Sequence, residues 1–121
     1  MAKDNMFNND RYFTDRSDLR MVMVRFGFDF SLLGSVYLYE MLNEVVSNTS
    51  VLRNKCFPTM VVLADRHCVK LKTFNRDIRW AISKAFNQGL LKFVPIFENL
   101  NKAPSTKQVL AWLYAFYVNQ Y

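Results

Sequence analysis

Histidine occurs once and cysteine twice in these 121 residues, too few ligands for a zinc site of any usual Cys/His spacing. Cys56 and Cys68 therefore read as reduced, buried, small hydrophobic residues, and His67 as a histidine at the edge of a core. Glycine and proline are just as scarce, at three each. No glycine-rich phosphate loop, nucleophile elbow or pair of catalytic carboxylates can be assembled from what remains, so an enzyme is not expected and no cofactor is called for. Long apolar runs are missing too. None approaches the ~18–20 residues that span a bilayer, and the polar N-terminus has no signal-peptide character, so a cytoplasmic protein is expected. Repeats and low-complexity segments are absent.

Negative charge is lacking in one half only. Residues 1–50 carry five basic side chains against seven acidic ones, a net of −2. Residues 51–121 carry eleven basic side chains against Asp65, Asp77 and Glu98, a net of +8 that more than accounts for the overall +6. A basic half favours a polyanion as partner. A membrane surface fits less well, because the basic segment lacks the large exposed apolar face that an interfacial helix buries in lipid.

What is present is core material: 51% of the residues are hydrophobic, enough for one core and one domain. Residues 1–16 read as a polar, mobile tail and residues 17–121 as the domain. Leu19, Val22, Met23 and Phe26 follow the i, i+3, i+4, i+7 spacing of a helix that stops at Gly27; a strand over 21–26 competes, but strict alternation fails. A second helix opens at Gly34 or Ser35 and runs to about 47, burying Leu38, Met41, Leu42 and Val45. A short helix from Val51 and another with Pro58 in its first turn follow, the latter aligning Met60, Leu63, Ala64 and His67. Pro104 and the capping box Ser105-Thr-Lys-Gln108 introduce a final helix with Val109, Leu110, Leu113, Phe116 and Tyr117 inward. Trp112 is placed in the core, while Tyr114 and Tyr121 either complete the bundle or form an aromatic patch. The fold class is all-α, a compact single-domain bundle of about six helices containing a helix-turn-helix.

The stretch from Phe74 to Gly89 carries the functional signal. Phe74, Ile78, Ala81, Ile82 and Ala85 share one helix face, while Lys72, Arg76, Arg79, Ser83 and Asn87 lie opposite. Gly89 is placed as a left-handed C-cap. No carboxylate falls on the outward face, and Asp77 lies on its flank. A short helix at 57–66, a turn at 67–71 and this longer basic helix follow the order of a helix-turn-helix, with residues 72–87 entering a major groove. Arg76 and Arg79 would pair with guanine. Lys72 and Thr73 at the helix start, with Lys70, Lys84 and Lys107 around it, would hold phosphates. Asn75, Trp80 and Ser83 complete the reading face.

From about Leu19 to Val118 the chain resembles the C-terminal DNA-binding domain of the master response regulator that initiates sporulation in spore-forming bacteria. The landmarks are Gly27 and Gly34, Tyr37-Leu-Tyr-Glu40, Phe57-Pro58, Arg76-x-Ile78-Arg79-x-Ala81-Ile82 leading to Gly89, and Lys102-Ala-Pro-Ser-Thr106. The resemblance implies six helices with a central helix-turn-helix and tandem binding to short boxes of double-stranded DNA. It also implies base contacts from Arg76 and Arg79, and backbone contacts near Lys102 and Thr106. Trp80 departs from it, standing where the family has a smaller polar ring. The family also joins this domain to a phosphoacceptor receiver, for which this length leaves no room. Control by dimerisation or by a partner, or constitutive binding, is the expectation. The sequence thus points to a stand-alone, nucleoid-associated transcriptional regulator that binds DNA in tandem or as a homodimer. The alternative is a protein-interaction module that pairs with a related regulator through its aromatic C-terminal helix and has lost DNA readout.

Overall fold

The computed structural model describes residues 17–120 as five α-helices: α1 (Ser17–Arg25), α2 (Leu33–Ser47), α3 (Cys56–Arg66), α4 (Leu71–Gln88) and α5 (Thr106–Gln120). The tail assigned to 1–16, and Tyr121, lie outside the described residues. No strand occurs among the described residues, so the all-α class holds, but the helix count is five rather than six. The separate helix expected from Val51 is a π-helical turn, Val51–Lys55, that runs directly into α3. With Val51 buried and no residue left over for a loop, the two expected helices form one continuous arm.

Packing begins with α4, whose residues Phe74, Ile78, Ala81, Ile82, Ala85 and Phe86 are all buried. All but Ala81, which faces Gly34, meet Leu38, Met41, Leu42 and Val45 of α2, Leu63 of α3, and Val109, Leu110 and Leu113 of α5 in one contiguous core. Each large side chain fully buried there contributes about 1.5–3 kcal/mol before the entropy of ordering is charged against it. Helices α2 and α4 cross at Gly34. A Cβ at that position would overlap the carbonyl oxygen of Asp77 and stand 3.0 Å from the Ala81 Cβ, so only a residue without a side chain lets the two backbones meet.

Two helix ends share one geometry. After α1, the Gly27 and Phe28 N–H groups donate to Val24 and Met23 carbonyls, with Gly27 at φ 93°. After α3, the Cys68 and Val69 N–H groups donate to Asp65 and Ala64 carbonyls, with Cys68 at φ 57°. Both are Schellman ends, but in the second a cysteine takes the place usually given to glycine, at a cost of about 1–2 kcal/mol for a residue with a Cβ. This conformation sets the turn between α3 and α4. It also corrects the expectation that both cysteines are buried: Cys68 is exposed and Cys56 only half-buried, both as free thiols. Gly89 needs another correction, since its backbone is extended (φ −115°, ψ −159°) rather than left-handed. What Gly89 supplies is room, because a Cβ on it would lie 2.8 Å from the Gly27 Cα.

His67 caps the C-terminus of α3 at the core edge. Its Nε2 lies 2.9 Å from both carboxylate oxygens of Glu40, and its ring sits 4.8 Å from Tyr37, which stacks on Phe74 at 4.5 Å. The histidine thus ties α2, α3 and α4 together immediately before the turn that presents α4. Trp112 is only partly buried, edge-on to Phe26 and Phe97 and beside Phe116.

Candidate nucleic-acid interface

With one side of α4 committed to the core, the 100° step between residues determines what the other side presents. Arg76, Arg79 and Trp80 are exposed, Asn75 and Ser83 half-buried. Asn75, Arg79 and Ser83, at i, i+4 and i+8, form one wall of a groove of about 640 Å³. The opposite wall is the segment that enters α5, from Lys102 to Gln108. Six of the residues singled out in the sequence therefore line one surface: Asn75, Arg79, Ser83, Lys102, Thr106 and Lys107. The lining contains three cations and no carboxylate.

The α5 wall is held by its capping box. The Gln108 N–H donates to Ser105 Oγ at 3.2 Å, and the Ser105 N–H donates to Gln108 Oε1 at 2.8 Å. Pro104, buried just before it, fixes the approach of the chain. Cys56 of α3 also lines the groove; burial pushes its thiol pKa up, and the nearby charge of Lys107 partly opposes that. Sequence reasoning missed Cys56 here because no local pattern relates a position in α3 to the start of α5. Only the folded core brings them together.

The remaining candidates fall around this groove. Lys70 is the residue before α4, in extended conformation, and Lys72 and Thr73 lie in the first turn. Lys72 and Asn75 also border a smaller hollow of about 270 Å³ with Phe57, Met60 and Leu71. Arg76 and Trp80 stand on the outward crest. The expectation that no carboxylate meets this face needs correction at two places. Arg76 lies 3.5 Å from Asp77, its neighbour along the chain, with the arginine side chain 71% exposed. Lys84 lies 3.5 Å from Asp29, which is contributed by the connection between α1 and α2. Asp29 is held below the ordinary carboxylate range, first by the Ser31 hydroxyl at 2.7 Å, then by the Ser31 N–H at 2.9 Å, with Lys84 adding to the effect. Lys84 is thus tethered, whereas Arg79, Lys72, Lys102 and Lys107 have no carboxylate partner among the described residues.

No helix among the described residues is long and apolar enough to cross a membrane, and no cluster of three metal-ligating side chains forms among them. Comparison with models of known protein families gives no match, and no curated protein matches the sequence.

Proposed function

We propose that this chain binds double-stranded DNA, with α3, the turn at 67–70 and α4 acting as a helix-turn-helix, and that it serves as a transcriptional regulator of the kind its resemblance to the sporulation-initiation effector domain implies. The observation that carries the reading is the groove between α4 and the start of α5, in which Arg79, Lys102 and Lys107 converge with Asn75, Ser83 and Thr106 and no carboxylate intervenes. In this reading α4 enters the major groove. Arg76 and Arg79 reach guanine O6 and N7, for which the planar fork of arginine is suited. Lys102, Thr106 and Lys107, with Lys70, Lys72 and Thr73 at the start of α4, hold the phosphates and fix register. Tandem or dimeric binding on DNA remains part of the proposal. The alternative, a pairing module built on the aromatic C-terminal helix, is less well supported, because Trp112 and Phe116 pack against Phe26 within the bundle.

Two measurements test it. Selection from a random duplex pool should return a motif, and affinity for that motif should fall with salt at a log–log slope of about −4 to −7, as five to eight neutralised phosphates require. On the selected site, Arg76→Ala or Arg79→Ala should cost about 1–3 kcal/mol and relax preference at one position, whereas Lys84→Ala weakens all sequences alike. A flat salt dependence, or no binding at low salt, sinks the reading and favours the pairing module.

A further inference from the structure

Trp80 stands on the outward crest of α4 with 62% of its surface exposed, and no ring, cation or hydrogen-bond partner engages it among the described residues. Single exposed apolar residues are ordinary on protein surfaces. This one is set apart by its place, one helical turn after Arg76 and one before Lys84, in the middle of the polar arc. The core beneath it is complete without it, since Ile78, Ala81 and Ile82 are each buried to about one per cent or less of residual exposure. The fold therefore leaves most of the indole uncovered.

The chemistry of the ring narrows what it can meet. An indole has one N–H donor and no acceptor, so it cannot make the bidentate pair that guanine or adenine rewards. Its strength is a broad apolar edge. Among the groups displayed in a major groove, the one apolar feature is the C5-methyl of thymine. We infer that Trp80 is a specificity-determining residue that packs on a thymine methyl, reading thymine against cytosine at one position beside the arginine contacts. The inference rests on the DNA-binding reading above and adds a base preference to it.

Uracil pairs with adenine as thymine does and keeps every hydrogen-bonding group, lacking only the methyl. The test therefore replaces each thymine of the selected duplex singly by uracil and measures affinity by fluorescence anisotropy at one fixed salt, for the wild-type protein and for Trp80→Ala. In the wild type, one position for each bound copy should lose about three- to fivefold, the effect of withdrawing one carbon from apolar contact. In Trp80→Ala, whose helicity and melting should match the wild type because the side chain is exposed, thymine and uracil duplexes should bind equally at those positions. The inference is overturned if the wild type binds its site tightly yet ignores every uracil, or if the penalty persists in the variant. It also falls if Trp80→Ala lowers binding of both duplexes equally while reducing the sedimenting mass, which would make Trp80 a contact between two copies. Absence of duplex binding under all conditions would remove the DNA-binding reading itself.

Discussion

The starts of α4 and α5 are built in opposite ways. At α5, Ser105 and Gln108 satisfy one another's backbone N–H groups, closing the helix end from within. At α4, the cap position is held by Lys70, which makes no side-chain cap bond; both helices lack an acidic residue in the first turn and carry a lysine there, Lys72 and Lys107, so the cap is what separates them. Leaving out a capping side chain forgoes about 1 kcal/mol, and each cation set against the positive end of the helix dipole costs about 0.3–1 kcal/mol more at low salt. One helix end is thus closed by its own side chains, while the other does without a side-chain cap. An uncapped N-terminus flanked by lysines is the arrangement an external anion would complete.

The contrast depends on α4 being held rigidly, and the largest effect comes from loosening that hold. Gly34→Ala should destabilise the protein by about 3 kcal/mol, because the new methyl has no space against the Asp77 carbonyl and backbone is what must move. Urea denaturation would measure it. A change below about 1 kcal/mol would mean that α2 and α4 part easily and that the α4 face is not fixed by this crossing. Next in size, Ser105→Ala should cost about 1 kcal/mol through loss of the α5 cap.

The comparison is sharpened by installing at α4 what α5 already has. Lys70→Asp supplies a capping acceptor and reverses an unfavourable charge, so stability should rise by about 1 kcal/mol. Duplex affinity should move the other way, by about tenfold, since a phosphate contact is exchanged for repulsion. Opposite signs in the two measurements would identify the open start as a site maintained at the expense of stability. If Lys70→Asp lowers stability, the α4 start is not unsatisfied and the contrast with α5 fails.

How much of this was legible in the sequence follows from the range of the forces involved. The buried face of α4, the Ser105/Gln108 box and the stop at Gly27 depend on residues within two helical turns, and local periodicity or capping chemistry reveals them. The place of Gly89 is legible locally but its reason is not: a glycine after a helix suggests a left-handed cap, but here it makes room for Gly27, 62 residues earlier in the chain. Val51–Lys55 looked like a separate helix because a π-helical turn shifts the apolar register without a loop. In the candidate site, the α4 residues and Lys102, Thr106 and Lys107 were identified from charge and resemblance. That they line a single groove, that Cys56 joins them and that Asp29 neutralises Lys84 all depend on tertiary contacts.

The smallest expected effect tests that last point, the distinction between tethered and free cations along α4. Because the folded-state pKa of Asp29 lies below its ordinary 3.8, the Ser31 and Lys84 contacts stabilise the ionised form. Their contribution is complete above the ordinary value and is lost as pH falls through the lower, folded-state one. The Asp29 side chain lies at the surface, 42% exposed, so solvent screens the interaction and the effect on stability is slight. The difference in melting temperature between wild type and Asp29→Ala should therefore be small and constant from about pH 7 to pH 5, and should vanish well below the ordinary carboxylate range. Releasing Lys84 should also raise duplex affinity modestly at low salt, an advantage that disappears as salt is added. If affinity is unchanged at low salt, Lys84 lies too far from the bound phosphates to matter. The polyanion-facing surface of α4 would then end at Ser83, on the groove side of the helix.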